Sequence, residues 1–375
     1  MQEFDLAVVG AGVVGASIAW HAAQKGMRVA SIDAVGPAAA ASGASDGAVS
    51  VASKRPGLMA NLANQSLAYS ASLATYGGPL ENVFATRPSY FFASTEAEMA
   101  ALDRLTKQLA ALGDKVRVVH DVSTPKRVLP EIGSSVLRLI EIEGEGHMLG
   151  YAATQAFLNA AKATCFWRSP LQSWEESDRA IDLRLPEINL RASQVVFALG
   201  VGTTQWFPKL PVIPRAGQII ITDSAQRGKT SLKGALTAGS YLLSKSDYAT
   251  NQTALPLVID PLSTGQFLIG SSREPHGDSQ HTDVAVLKAL LVRAVSTYPA
   301  LAKQRVIRSF TGVRAAVVDG LPIVGRLPGS QRSWVATGFE GDGICLSAWA
   351  GRSVIGLLQG EHLSDCNELS PDRFY

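Results

Sequence analysis

The sequence predicts a Rossmann-like α/β fold interrupted by an inserted, largely antiparallel-sheet α+β portion. Three observations carry this. The stretch from Phe4 to Asp33 reads strand–turn–helix–strand around a glycine triplet. Glycine-bearing motifs return near the far end of the chain. Between them lie short β-type runs separated by polar turns.

Phe4, Leu6, Ala7, Val8 and Val9 form an apolar run suited to a strand buried on both faces. It leads into Gly10, Gly12 and Gly15, spaced G-x-G-x-x-G. Ile18, Ala19, Ala22 and Ala23 then follow helical spacing, and Gly26 is placed to end the helix. A second apolar run, Met27 to Ile32, finishes on Asp33. An acid about 20 residues beyond the glycines completes the pattern of a dinucleotide site. Gly10 allows the tight turn, Gly12 lets backbone approach a pyrophosphate, and Gly15 with Ala19 lets the helix sit close to the strand. The helix N-terminus offers free N–H groups to phosphates. Asp33 can accept from both ribose hydroxyls and would repel a 2′-phosphate.

Composition narrows the class. The chain has 375 residues, 46% hydrophobic and 18% charged, enough for one large or two intimate domains with ample core. A net charge of +2, with dispersed Lys and Arg, offers no support for nucleic-acid binding or a polybasic anchor. The nearly charge-free run Leu6 to Trp20 is preceded by Glu3 and Asp5 where a signal peptide needs basic residues, and it is too short for a membrane span. The expectation is a soluble, cytoplasmic protein. Cys165, Cys345 and Cys366 are far apart, suit a reducing compartment and cannot supply the four ligands of an iron–sulfur cluster. His120, His147 and His276 read as isolated surface residues, and no metal motif is visible.

Taken in order, Ala34 to Gly57 is a stretch of small residues, expected to line a cofactor because so little side-chain bulk implies close backbone packing. A helix is predicted through Leu58, Ala63, Leu67 and Leu73, ended by Gly77-Gly78. Ser89–Ala93 reads as a strand. Thr95–Leu112 reads as a helix with Thr95 as cap and Glu98 at the capping-box position. Val116–Val119 and Val136–Glu143 are predicted strands, Tyr151–Ala163 a helix, and Ala180–Leu185 and Ala192–Leu199 strands. Gln218–Thr222, Leu257–Asp260 and Phe267–Gly270 are short β runs, interrupted by a helix over Thr282–Tyr298. Trp334–Thr337 is a last strand and Ile344–Leu358 a last helix, with Gly341 and Gly343 at its N-terminus.

Seven ordered landmarks carry a resemblance: GAGVVG with Asp33, SGASDGAV, VVFALG, PRAGQ, FLIGSS, GVRAAVVDGLPIVG and GFEGDGI. Together they resemble the D-amino-acid-oxidase-like flavoproteins (glycine and sarcosine oxidases and several amine dehydrogenases), and within these the FAD-carrying B (beta) chains of bacterial opine (octopine or nopaline) oxidases. The resemblance implies a discontinuous FAD-binding domain, 1–80, 145–215 and 305–375, and a substrate-binding domain, 81–144 and 216–304. It carries FAD contacts onto Gly10, Gly12, Val14, Gly15, Asp33, Ser42, Gly43, Ala44, Ser45, Gly47, Ala198, Gly200, Gly312, Gly338, Gly341, Asp342, Gly343 and Ile344. Gly312 is expected to let backbone approach the flavin. No Cys or His precedes or occupies Thr311–Ala316, where sarcosine oxidases tether flavin, so the FAD is expected to be non-covalent. Phe339 stands where relatives often have His.

The resemblance also places Arg314 as the clamp of a substrate carboxylate, where its planar fork suits two parallel hydrogen bonds. Tyr241 and Tyr248 are candidates for a substrate-holding tyrosine. Lys54 and Arg55 are candidates for contacts to a second charged group. The implied reaction is FAD-dependent oxidation of the C–N bond of an amino acid or N-alkyl amino acid, an opine foremost. A D-amino acid, proline, hydroxyproline or glycine remains open as substrate. An NAD-dependent dehydrogenase and an FAD-binding subunit without its own catalysis are the competing classes. The implied partners are companion subunits carrying an iron–sulfur centre, with FMN in or shared with them, and any membrane association runs through that complex.

Overall fold

A computed structural model of the chain describes residues 1–113, 115–224, 230–244 and 252–375. The N-terminal unit forms as its periodicity predicts, with β1 (Gln2–Val9), α1 (Val13–Gln24) and β2 (Val29–Ile32). There follow β3 (Ala48–Val49), α2 (Leu58–Leu73), β4 (Ala85–Ala93), α3 (Glu96–Ala111), β5 (Arg117–Val122), β6 (Arg138–His147) and α4 (Gly150–Ala161). Next come β7 (Thr164–Phe166), β8 (Ser173–Glu176), β9 (Ile181–Arg184), β10 (Asn189–Phe197) and α5 (Thr203–Trp206). The remainder is β11 (Val212–Thr222), β12 (Leu236–Ala238), α6 (Gly239–Ser244), β13 (Val258–Pro261), β14 (Phe267–Gly270), α7 (Val284–Thr297), β15 (Val306–Val317), β16 (Ile323–Arg326), β17 (Ser333–Thr337) and α8 (Gly343–Leu358).

Two sheets organise these strands. The first runs β16-β17-β10-β1-β2-β7, with β8 and β9 attached to β10. From β17 to β7 every neighbouring pair is parallel. Parallel strands joined by helical crossovers are covered on both faces, which is why β1 buries Leu6, Ala7 and Val8 completely. Helix α1 packs between α4 and α8 on one face. The second sheet runs β15-β11-β14-β13-β12-β4-β6-β3 with β5 beside β6, and is antiparallel except where β12 meets β4. The expected Rossmann-like portion and largely antiparallel portion are therefore both present.

Local rules explain most boundaries. Thr95 accepts the Glu98 N–H at 3.3 Å, and Glu98 Oε2 accepts the Ser94 N–H at 2.8 Å, so the predicted capping box forms one residue further back on its return arm. Strand β4 begins at Ala85, earlier than predicted, by tolerating a register shift between Arg87 and Ser89. Pro88 lies there, with no N–H to give the ladder. The main strand the sequence did not reveal is β15, paired with β11 from Val212↔Val317 to Thr222↔Val306. Its Gly312 and Arg314 interrupt an apolar pattern, so it read as a glycine motif. Sheet membership crosses the expected domain division at four places: β3, within 1–80, β15, within 305–375, and residues 145–147 of β6 and 212–215 of β11, within 145–215, all belong to the second sheet.

Between α1 and its neighbours sits a buried histidine. His21 Nδ1 donates to Ser17 O at 2.7 Å, and Nε2 faces the Tyr69 hydroxyl at 3.0 Å. Gly351 of α8 makes room for it: a Cβ there would lie 2.5 Å from His21 Nδ1 and 2.3 Å from Ser17 Oγ. Burial pushes the His21 pKa down from 6.5 to about 4. The folded pKa is depressed, so below 6.5 the unfolded chain binds the extra proton first and stability falls as pH falls toward 4. Acidification from pH 7 to 5 should cost about 2 kcal/mol through this residue. Urea unfolding of wild type and His21→Gln at both pH values checks this: the variant should lose less than wild type, and an equal loss in both would remove His21 as the cause.

Candidate active site

The cradle at the start of α1 is made by glycines. Gly10 has φ +109°, and a Cβ on it would lie 2.3 Å from Ala198 O at the end of β10. A Cβ on Gly15 would lie 2.0 Å from Gly10 O and 3.3 Å from Ala198 Cβ. Helix α1 therefore sits against the ends of β1 and β10, as the G-x-G-x-x-G spacing predicts. Gly12, the N-cap, carries no side-chain cap, and the first turn, which includes Val14, holds no acid. Ser42 Oγ accepts the Val13 N–H at 3.0 Å from across the opening. A bare Gly12 and a first helical turn without acidic residues fit a pyrophosphate. Asp33 already orders the surrounding backbone: Oδ2 accepts from Ala11 N–H at 2.8 Å, and Oδ1 from Val35 and Gly36 N–H at 2.8 and 2.9 Å. One lone pair, on Oδ2, remains for a hydroxyl donor.

The small-residue stretch after Asp33 is packed backbone to backbone. Gly43 would strike Ala38 O at 2.2 Å with a Cβ, and Gly47, at φ +85°, would strike His147 Nε2 at 2.7 Å. Ser45 Oγ donates to Ser42 O at 2.9 Å. Gly312 proves to face this stretch: its missing Cβ would lie 2.8 Å from Ala44 Cβ, so contact between β15 and the loop explains the glycine. Gly150, which spacing alone does not single out as a site residue, opens α4 against Ser42 O, Ser45 Oγ and Ile344 Cδ1, at 2.1, 2.7 and 2.6 Å from a would-be Cβ. Gly338, at φ +76°, likewise answers to packing, with Val317 Cγ2 at 2.3 Å. Gly200 adopts φ +55° facing open space, and its carbonyl accepts from Thr203 and Thr337 hydroxyls at 2.8 and 3.0 Å. Gly343, with only Phe339 Cβ near it at 3.5 Å, starts α8 beside the buried Ile344.

Arg314 occupies a built cage. Its Nη1 donates to Ala216 O and Ser272 O at 3.2 and 3.3 Å, and Nη2 donates to Ser271 Oγ at 2.6 Å. Gly217 leaves the room: a Cβ there would lie 2.4 Å from Nη1 and 2.6 Å from Nη2. The glycine in PRAGQ and the serines in FLIGSS thus acquire a purpose that spacing along the chain does not show. Burial lowers the Arg314 pKa, Glu340 raises it, and Arg273 lowers it again. The bare Gly341 borders Arg314 on one side and the Tyr241 hydroxyl on the other, with a would-be Cβ 3.8 Å from Arg314 Nε and 4.0 Å from Tyr241 Oη. Arg314, Tyr241 and Gly341 are therefore together. Tyr248 lies outside the described residues.

Two buried ion pairs hold the turn next to this cage. Arg273 Nη1 lies 3.3 Å from Glu340 Oε1, and its guanidinium covers the Tyr241 ring at 5.2 Å. Lys54 Nζ lies 3.0 Å from Asp342 Oδ1 and donates to Ser53 Oγ at 2.9 Å. Burial alone would drag the lysine down, but the Asp342 carboxylate more than offsets it and holds its pKa above the ordinary value. Lys54 is thus a buried partner of Asp342 and not a solvated loop charge. Arg55 donates to the carbonyls of Asp319 and Gly320, bracing the turn that follows β15.

The histidines also need correction. Of His120, His147 and His276, only His120 is exposed, and its Nδ1 lies 2.7 Å from Glu141 Oε2. His147 is tucked inside, with Nε2 3.0 Å from Asp46 O and 3.8 Å from Asp260 Oδ2. His276 belongs to a group with Glu274 and His281. Its Nδ1 accepts the Asp278 N–H at 3.2 Å, which leaves the proton on Nε2 for Glu274 at 3.1 Å. His281 adds a ring contact, edge-on to His276 with centroids 5.0 Å apart.

The model of a family described as FAD dependent oxidoreductase (DAO) matches residues 5–357. The chain is similar to the B chain of the opine oxidase of Rhizobium meliloti, 28% identical over 346 residues that span 86% of this chain and 85% of that one. It is similar to glycine oxidase of Bacillus subtilis, 24% identical over 230 residues, 60% of this chain and 57% of the other. In fold it matches the crystal structure of glycine oxidase from Geobacillus kaustophilus at a TM-score of 0.86 and 22% identity, over 99% of this chain and 98% of that one. The family match runs from Asp5 within β1, through the α1 cradle and the Arg314 cage, to Leu357 in the last turn of α8, and the chain belongs to the DAO family of FAD-dependent oxidoreductases.

Proposed function

We propose that this chain is the catalytic, FAD-binding subunit of a multi-subunit dehydrogenase that oxidises the C–N bond of an amino acid or N-alkyl amino acid, an opine foremost. The observation that carries the reading is the Arg314 cage. Among the described residues, the Nε–H of Arg314 has no hydrogen-bond partner and Nη2 donates once, to Ser271 Oγ, which leaves donors on the guanidinium for a carboxylate. A buried carboxylate needs such a paired cation. Gly341 keeps the approach to those donors clear.

Bound FAD would supply the two-electron acceptor, taking the hydride from the substrate carbon. The chain's own contribution is position. Arg314 would fix the carboxylate, and the Arg273–Glu340 and Lys54–Asp342 pairs would hold the 340–342 turn against which the substrate lies. The substrate amine reacts neutral, because its nitrogen lone pair must stabilise the positive charge that develops as the hydride leaves. The imine formed then takes up water and breaks its C–N bond, giving an amine and a 2-oxo acid. The α1 N-terminus, Ser42 and Asp33 would hold the cofactor's pyrophosphate and ribose without a covalent link.

Companion subunits belong to the same reading, supported by the similarity to a protein whose name makes it one of several chains of an opine oxidase. The exposed Cys165 and the buried Cys345 and Cys366 form no disulfide and, being three, cannot supply the four ligands of a cluster. An iron–sulfur centre, with FMN in or shared among the chains, would therefore sit in partners. A cytoplasmic location is part of this reading. Among the described residues no helix is long and apolar enough to cross a membrane.

Arg314→Lys keeps the charge and loses the fork, so anaerobic flavin bleaching should require roughly ten- to a hundredfold more substrate. Gly217→Ala, which pushes into the guanidinium, should weaken binding in the same direction while FAD content holds. Unaltered affinity in both variants would place the carboxylate elsewhere. Asp33→Ala should lose FAD during dialysis, since a charge-assisted hydrogen bond is worth about 1.5–3 kcal/mol, and full retention would reassign Asp33 to loop structure alone. For the partners, dye-linked turnover of the isolated chain should be slow beside that of the co-purified complex. Equal rates with oxygen as sole acceptor would reject the multi-subunit reading.

A further inference from the structure

The loop between β14 and α7 gathers three side chains able to bind a metal. Glu274, His276 and His281 each offer one ligand atom, and these atoms lie within 4.8 Å of one another. Glu274 is buried, His276 partly buried and His281 exposed, so the group opens from the interior to the surface. His276 Nε2 and Glu274 Oε2 stand 3.1 Å apart. Two donors bound at about 2.0–2.1 Å to one tetrahedral ion are separated by about 3.3 Å. This pair can therefore share an ion with little movement. His281, its ring already edge-on to His276, supplies the third side from solvent.

The surrounding hydrogen bonds hold the trio in place. The Gln218 side chain ties the two ends of the loop, since Nε2 donates to Glu274 Oε1 at 3.0 Å and Oε1 accepts the Asp283 N–H at 3.0 Å. Ser272 Oγ donates to the same Glu274 oxygen. The Ala216 N–H donates to the carbonyls of Glu274 and His276, both at 3.0 Å, and Thr311 Oγ1 donates to His281 O at 2.7 Å. One Glu274 oxygen is thus engaged in orientation while the other faces the histidines. Metal-binding carboxylates are oriented in this way by their own hydrogen bonds. Among the described residues no lysine or arginine pairs with Glu274, and His276 is the basic group beside it. A buried carboxylate in that position favours a cation.

We infer that Glu274, His276 and His281 form a binding site for a divalent transition-metal ion. Two imidazoles and a carboxylate are a ligand set suited to zinc, and three protein ligands leave a fourth position for water. Ligation through His276 Nε2 moves the ring proton to Nδ1, so the exposed Asp278 must turn its N–H from Nδ1 to water. The site is separate from the Arg314 cage and touches it through one residue. Ser272 donates its hydroxyl to Glu274, and its carbonyl accepts from Arg314 Nη1 at 3.3 Å. A bound ion would brace the loop that carries the cage's two serines. Binding there needs neither substrate nor FAD and is independent of the proposed function.

The test uses the purified FAD-loaded protein with any co-purifying chains, dialysed against a chelator and then titrated with zinc chloride. Wild type should take up one zinc ion at this site and retain it through gel filtration. His281→Ala and His276→Gln should each weaken that binding by at least roughly tenfold, since losing even a hydrogen-bond partner of a ligand costs that much. His281 is exposed, so its variant should keep its fold and its FAD. His120→Ala and Cys165→Ser, which alter an exposed histidine and an exposed thiol elsewhere, should bind as wild type does. Cobalt(II) in place of zinc should show the visible absorption of a four-coordinate ion, and His281→Ala should lose it. Failure of wild type to retain zinc overturns the assignment. Equal affinity in wild type, His281→Ala and His276→Gln, or a loss confined to Cys165→Ser, puts the ion elsewhere and overturns it as well.

Discussion

The rest of the molecule depends on the close passage of the chain from Ser42 to Lys54 between the two sheets. Its N-terminal part lies across the start of α1, where Ser42 meets Val13 N–H. Its middle pairs with the second sheet, Ala48 against His147 and Val49 against Gly146. Its end buries Lys54 against Asp342 at the head of α8. One loop therefore touches α1, the antiparallel sheet and the last helix. Such a path is possible only where side chains are nearly absent on both sides, because interiors are packed without slack. Gly47 and Gly150 come so close to neighbouring atoms that neither could carry a Cβ, and Gly312 is held in the same way against Ala44. The run of Ala, Gly and Ser between Asp33 and Gly57 records that constraint.

Around this loop the protein buries an unusual amount of charge. A buried ion pair is weak evidence of stability, since desolvation can match its Coulombic gain, but removing one partner leaves a costly uncompensated charge. The Arg273–Glu340 and Lys54–Asp342 pairs are best understood as fixing geometry. They approach the 340–342 turn from opposite sides, one from the segment after β14 and one from the loop before α2. Glu340 adopts φ +48°, an uncommon conformation for a side chain of its size, and its own carboxylate accepts the Gly341 N–H at 2.7 Å. The turn that presents bare Gly341 to the site is thereby held in one shape.

Much of the nucleotide half was legible in the sequence because its requirements are local. A tight turn, a close helix and an acid at the end of the second strand lie within one short stretch, and Gly10, Gly15 and Asp33 occupy the places their spacing predicts. Periodicity located α3, α7 and α8 to within a residue or two. Strand β15 escaped because its alternation is broken by Gly312, which packs against Ala44, and by the charged Arg314.

The sequence by itself determined the Rossmann-like start, the antiparallel character of the middle and the family motif that contains Arg314, since each rests on near neighbours along the chain. Only the tertiary structure decided what surrounds that arginine. Gly217, Ser271 and Ser272 become its cage through the pairing of β11 with β14 and β15. It also decided that Lys54 answers Asp342. Those assignments depend on charges brought together from residues hundreds of positions apart, and spacing along the chain holds no record of which opposite charge a buried group will meet.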